Sequence, residues 1–146
     1  MIIRVMSIDD YDAIYQLWLN TPGMGLNTSD DSREGIDKYL QRNPSTSFVA
    51  VEGGEITGVI MAGHDGRRGF IHHTAVKTSE RTKGLGSALV DAAMNALKEE
   101  GINKVAMVVF SKNELGNTFW ENRGFTTRED LVYRNKNIND LIQINT

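Results

Sequence analysis

The residues best suited to chemistry stand together in one short run, Arg81-Thr82-Lys83-Gly84-Leu85-Gly86-Ser87, just before a long segment of helical pattern. The first N–H groups of a helix have no intrahelical acceptor and carry a partial positive charge, so a helix start of this kind suits an anion such as a phosphate. Glycines at 84 and 86 let that anion approach the backbone where a Cβ would obstruct it. Arg81, Lys83 and the Ser87 hydroxyl add charge and hydrogen bonds. The same letters also describe a plain tight turn, and the Gly-x-Gly pair alone does not decide between the two. Two familiar phosphate patterns are excluded. A P-loop places Lys and then Ser or Thr directly after its second glycine, and the dinucleotide fingerprint needs a Gly or Ala three residues after Gly86, where Leu89 stands.

The pattern around this run predicts the elements that hold it. Met1 to Met6 reads as a strand and Ile8 to Asn20 as a helix, with Ile8, Tyr11, Ile14, Tyr15, Trp18 and Leu19 at helical spacing. Thr21-Pro22-Gly23-Met24-Gly25 breaks it, and Ser32 to Arg42 forms a second helix closed by Asn43-Pro44. Strands over Ser47–Glu52, Glu55–Gly63 and Gly69–Lys77, joined at Gly53-Gly54 and Asp65-Gly66, make an antiparallel set. A helix from Leu85 to Glu100 and a strand from Lys104 to Phe110 then complete a βαβ unit, which requires a parallel crossover. Leu85, Ala88, Leu89, Ala92, Ala93, Ala96 and Leu97 form the apolar stripe of that helix, and Gly101 is its C-terminal cap. A helix over Asn113–Arg123 and a strand over Thr126–Asn135 finish the domain. The fold class is α/β: a mixed, mostly antiparallel sheet with one parallel βαβ unit and helices on both faces. Residues 1–137 are expected as a single domain and 138–146 as a polar, frayed tail.

With 146 residues the chain has the length of one domain and buries roughly two-thirds of its unfolded surface. The absence of cysteine excludes disulfides, a thiol nucleophile and thiolate metal sites, and no metal is expected. Sixteen basic against nineteen acidic residues give a net charge of −3, with no basic patch or aromatic platform for nucleic acid. The N-terminus turns polar at Ser7, and no apolar run approaches the ~20 residues of a membrane span. A cytoplasmic protein without membrane or nucleic-acid partners is the expectation.

Arg81 to Gly86 matches Arg/Gln-x-x-Gly-x-Gly/Ala, and Ala75-Val76 stand several residues before it. Downstream come Asn113, then Phe119-Trp120, then Gly124-Phe125. In these two motifs and in the order of elements from Ile2 to Tyr133 the sequence resembles the GNAT superfamily of acyl-CoA-dependent N-acyltransferases. The resemblance implies acetyl-CoA as acyl donor and a small-molecule or peptide amine as acceptor, within a family whose members often form homodimers. It implies that the strands carrying Val76 and Val108 splay to admit the pantetheine arm, with Thr74, Ala75 and Val76 pairing to it through the backbone. Arg81, Thr82, Lys83, Gly84, Leu85, Gly86 and Ser87 would hold the pyrophosphate, Asn113 would reach the cofactor from the other side, and Trp120 would wall the acetyl pocket. Phe119 is expected in the core.

Acetyl transfer to an amine needs a neutral amine, a donor for the charge that develops on the thioester oxygen, and a proton for the departing thiolate. A backbone N–H near Val76 meets the second need, such donors being typically worth ~3 kcal/mol. For the first, the resemblance points to His72, since some members carry a functional histidine at this place, and imidazole titrates near neutral pH. Strand alternation sends His73 to the opposite face and makes it the weaker candidate; a histidine filling a strand position is the alternative for both. His64, beside the Asp65-Gly66 turn, is expected to be structural. For the third, many members have a tyrosine where this chain has Trp120, whose indole N–H is not acidic. Tyr133 on the last predicted strand, or water, would have to substitute. The missing tyrosine keeps open the alternative of a CoA-binding sensor or regulatory module with little catalysis. The resemblance implies that the first two helices and their connection, here Trp18 to Asp37, shape the acceptor site; its Thr21–Leu26 loop and Asp30-Asp31 are read either as a closing loop whose acids attract a cationic amine, or as a solvated loop whose Met24 and Leu26 cover the core.

Overall fold

Alternating side chains on three central strands define two apolar layers, one on each face of the sheet. In the computed structural model, which describes residues 1–81 and 83–146, the elements run β1 (Ile2–Val5), α1 (Tyr11–Leu19), β2 (Leu26–Asn27), α2 (Arg33–Arg42), β3 (Phe48–Glu52), β4 (Glu55–His64), β5 (Gly69–Val76), α3 (Leu85–Glu99), β6 (Val105–Met107), α4 (Glu114–Asn122) and β7 (Gln143–Ile144). The main sheet has the order β1-β3-β4-β5-β6, antiparallel except for the parallel pair β5–β6. Val49, Val59, Met61 and Ala75 pack against Ile14 and Trp18 of α1 and Ile36 and Leu40 of α2. Ala50, Ile60, Ala62 and Ile71 pack on the other face against Leu85, Leu89, Val90, Ala93 and Leu97 of α3, with Trp120 of α4. Full burial of each such leucine stabilises by roughly 1.5–3 kcal/mol relative to exposure, which anchors α3 and therefore its N-terminus.

Local chemistry sets the helix ends. The Ser32 hydroxyl accepts the Gly35 N–H at 3.0 Å, an N-cap for α2, and Gly101, at φ +82°, lets the chain leave α3. A 3₁₀ turn over Ile8–Asp10 leads into α1. There Asp10 accepts from Ser7 N at 2.9 Å and makes a two-pronged contact with Arg4 at 2.7 and 2.9 Å.

Three expectations change at the C-terminal end. The strand predicted over Lys104–Phe110 is confined to Val105–Met107. The segment Thr126–Asn135 forms no strand: Leu131, Val132 and Tyr133 are exposed, and Arg128 is paired with Asp130 at 2.8 Å. Local alternation is a signal for a strand, but pairing also needs a partner edge, and residues 126–135 are paired with none. At the end of the chain Gln143–Ile144 pairs with Leu26–Asn27, tying the α1–α2 loop to the C-terminus.

Burial raises the Asp10 carboxyl, but the Arg4 hydrogen bonds and the Ser7 N–H outweigh it and hold the group below its usual range. A depressed carboxylate stabilises the fold above its unfolded value and loses that contribution as pH falls through its folded one. Asp10→Asn should therefore lower the melting temperature at pH 7, and the difference from the parent should close in thermal scans taken below about pH 4.

Candidate active site

The β5–β6 ladder joins Gly69 to Val105, Phe70 to Ala106 and Ile71 to Met107, and there it ends. Beyond Ile71, β5 continues to Val76 while remaining paired with β4 on its other side. The sheet is thus open between Thr74–Val76 and the residues after Met107. Lys77 N donates to Thr57 O at 2.8 Å, so residue 77 bonds toward β4. Alternation along an antiparallel strand then turns the backbone groups of Val76 and Thr74 toward the opening. Val76 O accepts from Arg81 Nε at 3.3 Å, which confirms that direction.

At the mouth of the opening stands the N-terminus of α3. Gly84 is its N-cap at φ +82°, a left-handed conformation that favours glycine, and a Cβ there would meet nothing within 4 Å. Ala88 N donates to Gly84 O at 3.0 Å, the first intrahelical bond among the described residues, and helix geometry places the N–H groups of Leu85, Gly86 and Ser87 in the first turn. A Cβ on Gly86 would lie 3.2 Å from the Phe119 ring, so this glycine also allows α4 to sit close to α3. Lys83 is paired with Glu80 at 3.0 Å and mostly exposed. Leu85 is buried in the core. Thr82 lies outside the described residues. The arrangement has the parts a diphosphate needs: bare N–H groups, a glycine surface and adjacent cations.

Across the opening, Asn113 caps α4 through its Oδ1, which accepts from Gly116 N at 2.8 Å. Trp120 is 7% exposed and lies edge-on between Phe119 and Phe125, while Phe119 is only partly buried. Of the two neighbours, Trp120 is the deeper core residue. Tyr133 is 68% exposed in irregular chain, with no element to fix it beside the other residues named here.

The histidines depart from simple alternation. Ile60 pairs with Thr74 but Ala62 pairs with Ile71, so β5 carries one extra residue at His72–His73. Such a bulge resets the side-chain phase. Ile71 faces α3 while Ala75 faces α1 and α2, and both imidazoles emerge on the α1–α2 side with ring centroids 6.4 Å apart. The expectation that His73 points to the opposite face is therefore corrected. His72 contacts Phe70 at 4.7 Å and Tyr39 at 5.5 Å. Although its side chain reaches solvent, the crowding around the ring, followed by the nearby His73, lowers its proton affinity. His73 Nε2 lies 2.6 Å from Asp31 Oδ1. His64 uses both ring nitrogens, toward Glu100 and Gly66 N at 2.9 Å each, a structural role.

The loop after α1 completes the surroundings. Leu26 is buried and Met24 packs on the core, whereas Gly23 and Gly25 lie against the Phe110 ring beyond β6. Asp31 is buried, while Asp30 is exposed and accepts from Asn27 Nδ2 at 3.0 Å. A broad open groove of about 810 Å³ runs elsewhere, along α1 between Arg4, Gln16 and Lys77, and its walls include the Arg4–Asp10 pair. Among the described residues no helix is long and apolar enough to cross a membrane.

The acetyltransferase (GNAT) family model matches residues 11–125, and the chain belongs to that family. An acetyltransferase of Pectobacterium atrosepticum is 28% identical over 140 residues, covering 96% of this chain and 98% of the relative. An acetyltransferase of Photorhabdus laumondii is 32% identical over 114 residues, 78% of each chain. Among solved structures, the PaiA N-acetyltransferase of Thermoplasma acidophilum in complex with coenzyme A shares the fold at a TM-score of 0.76 and 18% identity, covering 97% of this chain and 96% of that one.

Gly84→Asp would place a carboxylate at the N-cap of α3, where it would repel an anion held by that helix end. Saturating acetyl-CoA should raise the parent's melting temperature by roughly 5–10 °C, and the Gly84→Asp protein should fold but show no rise.

Proposed function

We propose that this protein is an acetyl-CoA-dependent N-acetyltransferase that moves an acetyl group to the primary amine of a small molecule or peptide by direct attack. The observation that carries the reading is the opening beyond Ile71 and Met107, with the bare N-terminus of α3 at its mouth. Thr74, Ala75 and Val76 line that opening as a strand, and the backbone groups that Thr74 and Val76 turn toward it are suited to pairing with a pantetheine amide. Arg81, Lys83 and the N–H groups of residues 85–87 suit its pyrophosphate, and the free Nδ2 side of Asn113 can donate from the opposite wall. The coenzyme supplies an activated thioester; the protein's part is to orient it, exclude water and handle the proton.

The Val76 N–H is the donor best aimed at the charge that builds on the thioester oxygen, a contribution of typically ~3 kcal/mol. The amine approaches from the α1–α2 face, where both histidines project. His72 resists protonation, so at neutral pH it presents an acceptor rather than a competing cation. Trp120 has no acidic proton and lies in the core, so the thiolate's proton comes from another group or from water.

The test is thiol release from acetyl-CoA with a panel of primary amines: a polyamine, an aminoglycoside, free amino acids and a short peptide with a free N-terminus. Turnover with at least one, at a rate well above acetyl-CoA hydrolysis, is expected. Acetyl-CoA binding without turnover on any amine would favour the other reading, a CoA-binding sensor.

A further inference from the structure

Asp31 and His73 stand 42 residues apart in sequence and meet across the interior. The Asp31 carboxylate is 5% exposed and the His73 side chain 16%, with Oδ1 2.6 Å from Nε2. The second carboxylate oxygen accepts the Asn27 N–H at 2.8 Å, and the Asp31 carbonyl accepts the Tyr11 hydroxyl at 2.7 Å. Trp18 is fully buried and packs edge-on against the imidazole at 5.0 Å. The ring is thus held on one nitrogen by an anchored anion and on its flank by an indole. A carboxylate at Nε2 fixes the neutral ring as the Nε2–H tautomer and leaves the Nδ1 lone pair as the acceptor. A base oriented by a third group is the usual architecture for proton transfer at an attacking nucleophile.

We infer that His73, oriented by Asp31, is the proton acceptor for the attacking amine, with His73 the catalytic residue and Asp31 the positioning residue. The inference rests on the acetyl-transfer reading above and names the group that serves it. His73 is adjacent in sequence to Thr74, whose backbone faces the opening. It lies on the same side of the sheet as the loop whose Gly23 and Gly25 lie against Phe110, beyond β6. His72, by contrast, is held by aromatic contacts with Tyr39 and Phe70. In the step itself a neutral primary amine bonds to the thioester carbonyl carbon and gives one proton to His73 Nδ1. The C–S bond breaks, its electron pair leaves on sulfur, and His73 passes that proton to the sulfur. The products are the N-acetylated amine and the free thiol, the histidine ends as it began, and no tyrosine at position 120 is required.

Two measurements test this. The first needs no turnover: long-range ¹H–¹⁵N spectra of the imidazoles at pH 8, with His73 assigned by its disappearance in H73Q. The Nε2–H tautomer is expected, and Asp31→Asn should weaken that preference; the Nδ1–H tautomer in the parent would overturn the inference. The second is thiol release with the amine panel. H73Q keeps a donor for Asp31 but has no base, so kcat should fall on the order of 10²–10⁴-fold while the acetyl-CoA melting shift persists. Millimolar imidazole should restore part of the rate to H73A, and H72A should lose less than about tenfold. D31N should also lower kcat, on the order of tenfold or more, yet cost nothing further when added to H73Q. If H73Q binds acetyl-CoA and stays within about threefold of the parent, His73 is structural and the inference falls while acetyl transfer stands. Absence of an acetyl-CoA melting shift in the parent overturns the acetyl-transfer reading. Binding without turnover on every amine overturns both.

Discussion

A parallel strand pair that closes for three residues and then stops governs the architecture. Backbone N–H and C=O groups on a strand edge must find partners in water, protein or ligand, and the stretch Thr74–Val76 has its second edge open. Continuing the ladder to Val108 and Val109 would satisfy those groups internally and close the opening. The opening is kept by what flanks it. On one side α3 is pinned to the sheet through Leu85, Leu89 and Leu97. On the other, the chain after Met107 runs to Phe110, whose ring rests against the glycine loop after α1. The same burial that stabilises α3 fixes its N-terminus at the mouth, so core packing and the proposed anion site depend on one helix.

The bulge at His72–His73 is the second device. Without it, residues 71, 73 and 75 would share a face, and His73 would point toward α3 instead of Trp18 and Asp31. One extra residue turns both imidazoles to the α1–α2 face and still allows Ala75 and Val76 to pack on opposite sides. It also reaches into the α1–α2 loop, because Asp31 closes the Asn27 turn with one oxygen and holds His73 with the other. The β2–β7 pairing fastens that loop from behind.

Much of this was legible in the sequence where the signal is local. The stripe of α3, the helix beginning after Ser32, the Gly53-Gly54 and Asp65-Gly66 turns, and the Arg81–Ser87 run each follow from spacing within a few residues. What depends on distant pairing was not. Alternation from Ile71 to Val76 gives no hint of an inserted residue, so His73 was assigned to the wrong face. Asp31 reads as one acid in a polar loop, since its partner lies 42 positions away. Leu131, Val132 and Tyr133 look like a strand, but no edge pairs with them and they are exposed. Trp120 reads as a departure from the family's pattern, and its burial between Phe119 and Phe125 is a property of packing.

The central claim, that an acyl-CoA lies in the opening between β5 and β6 with its diphosphate at the N-terminus of α3, is tested most directly by backbone amide NMR during titration with acetyl-CoA. The account predicts saturable shifts concentrated at residues 74–76, 83–87 and 108–113, with little change along α1 and β1. Saturable shifts centred instead on the groove formed by Arg4, Gln16 and Lys77, or no shifts at millimolar acetyl-CoA, would contradict it.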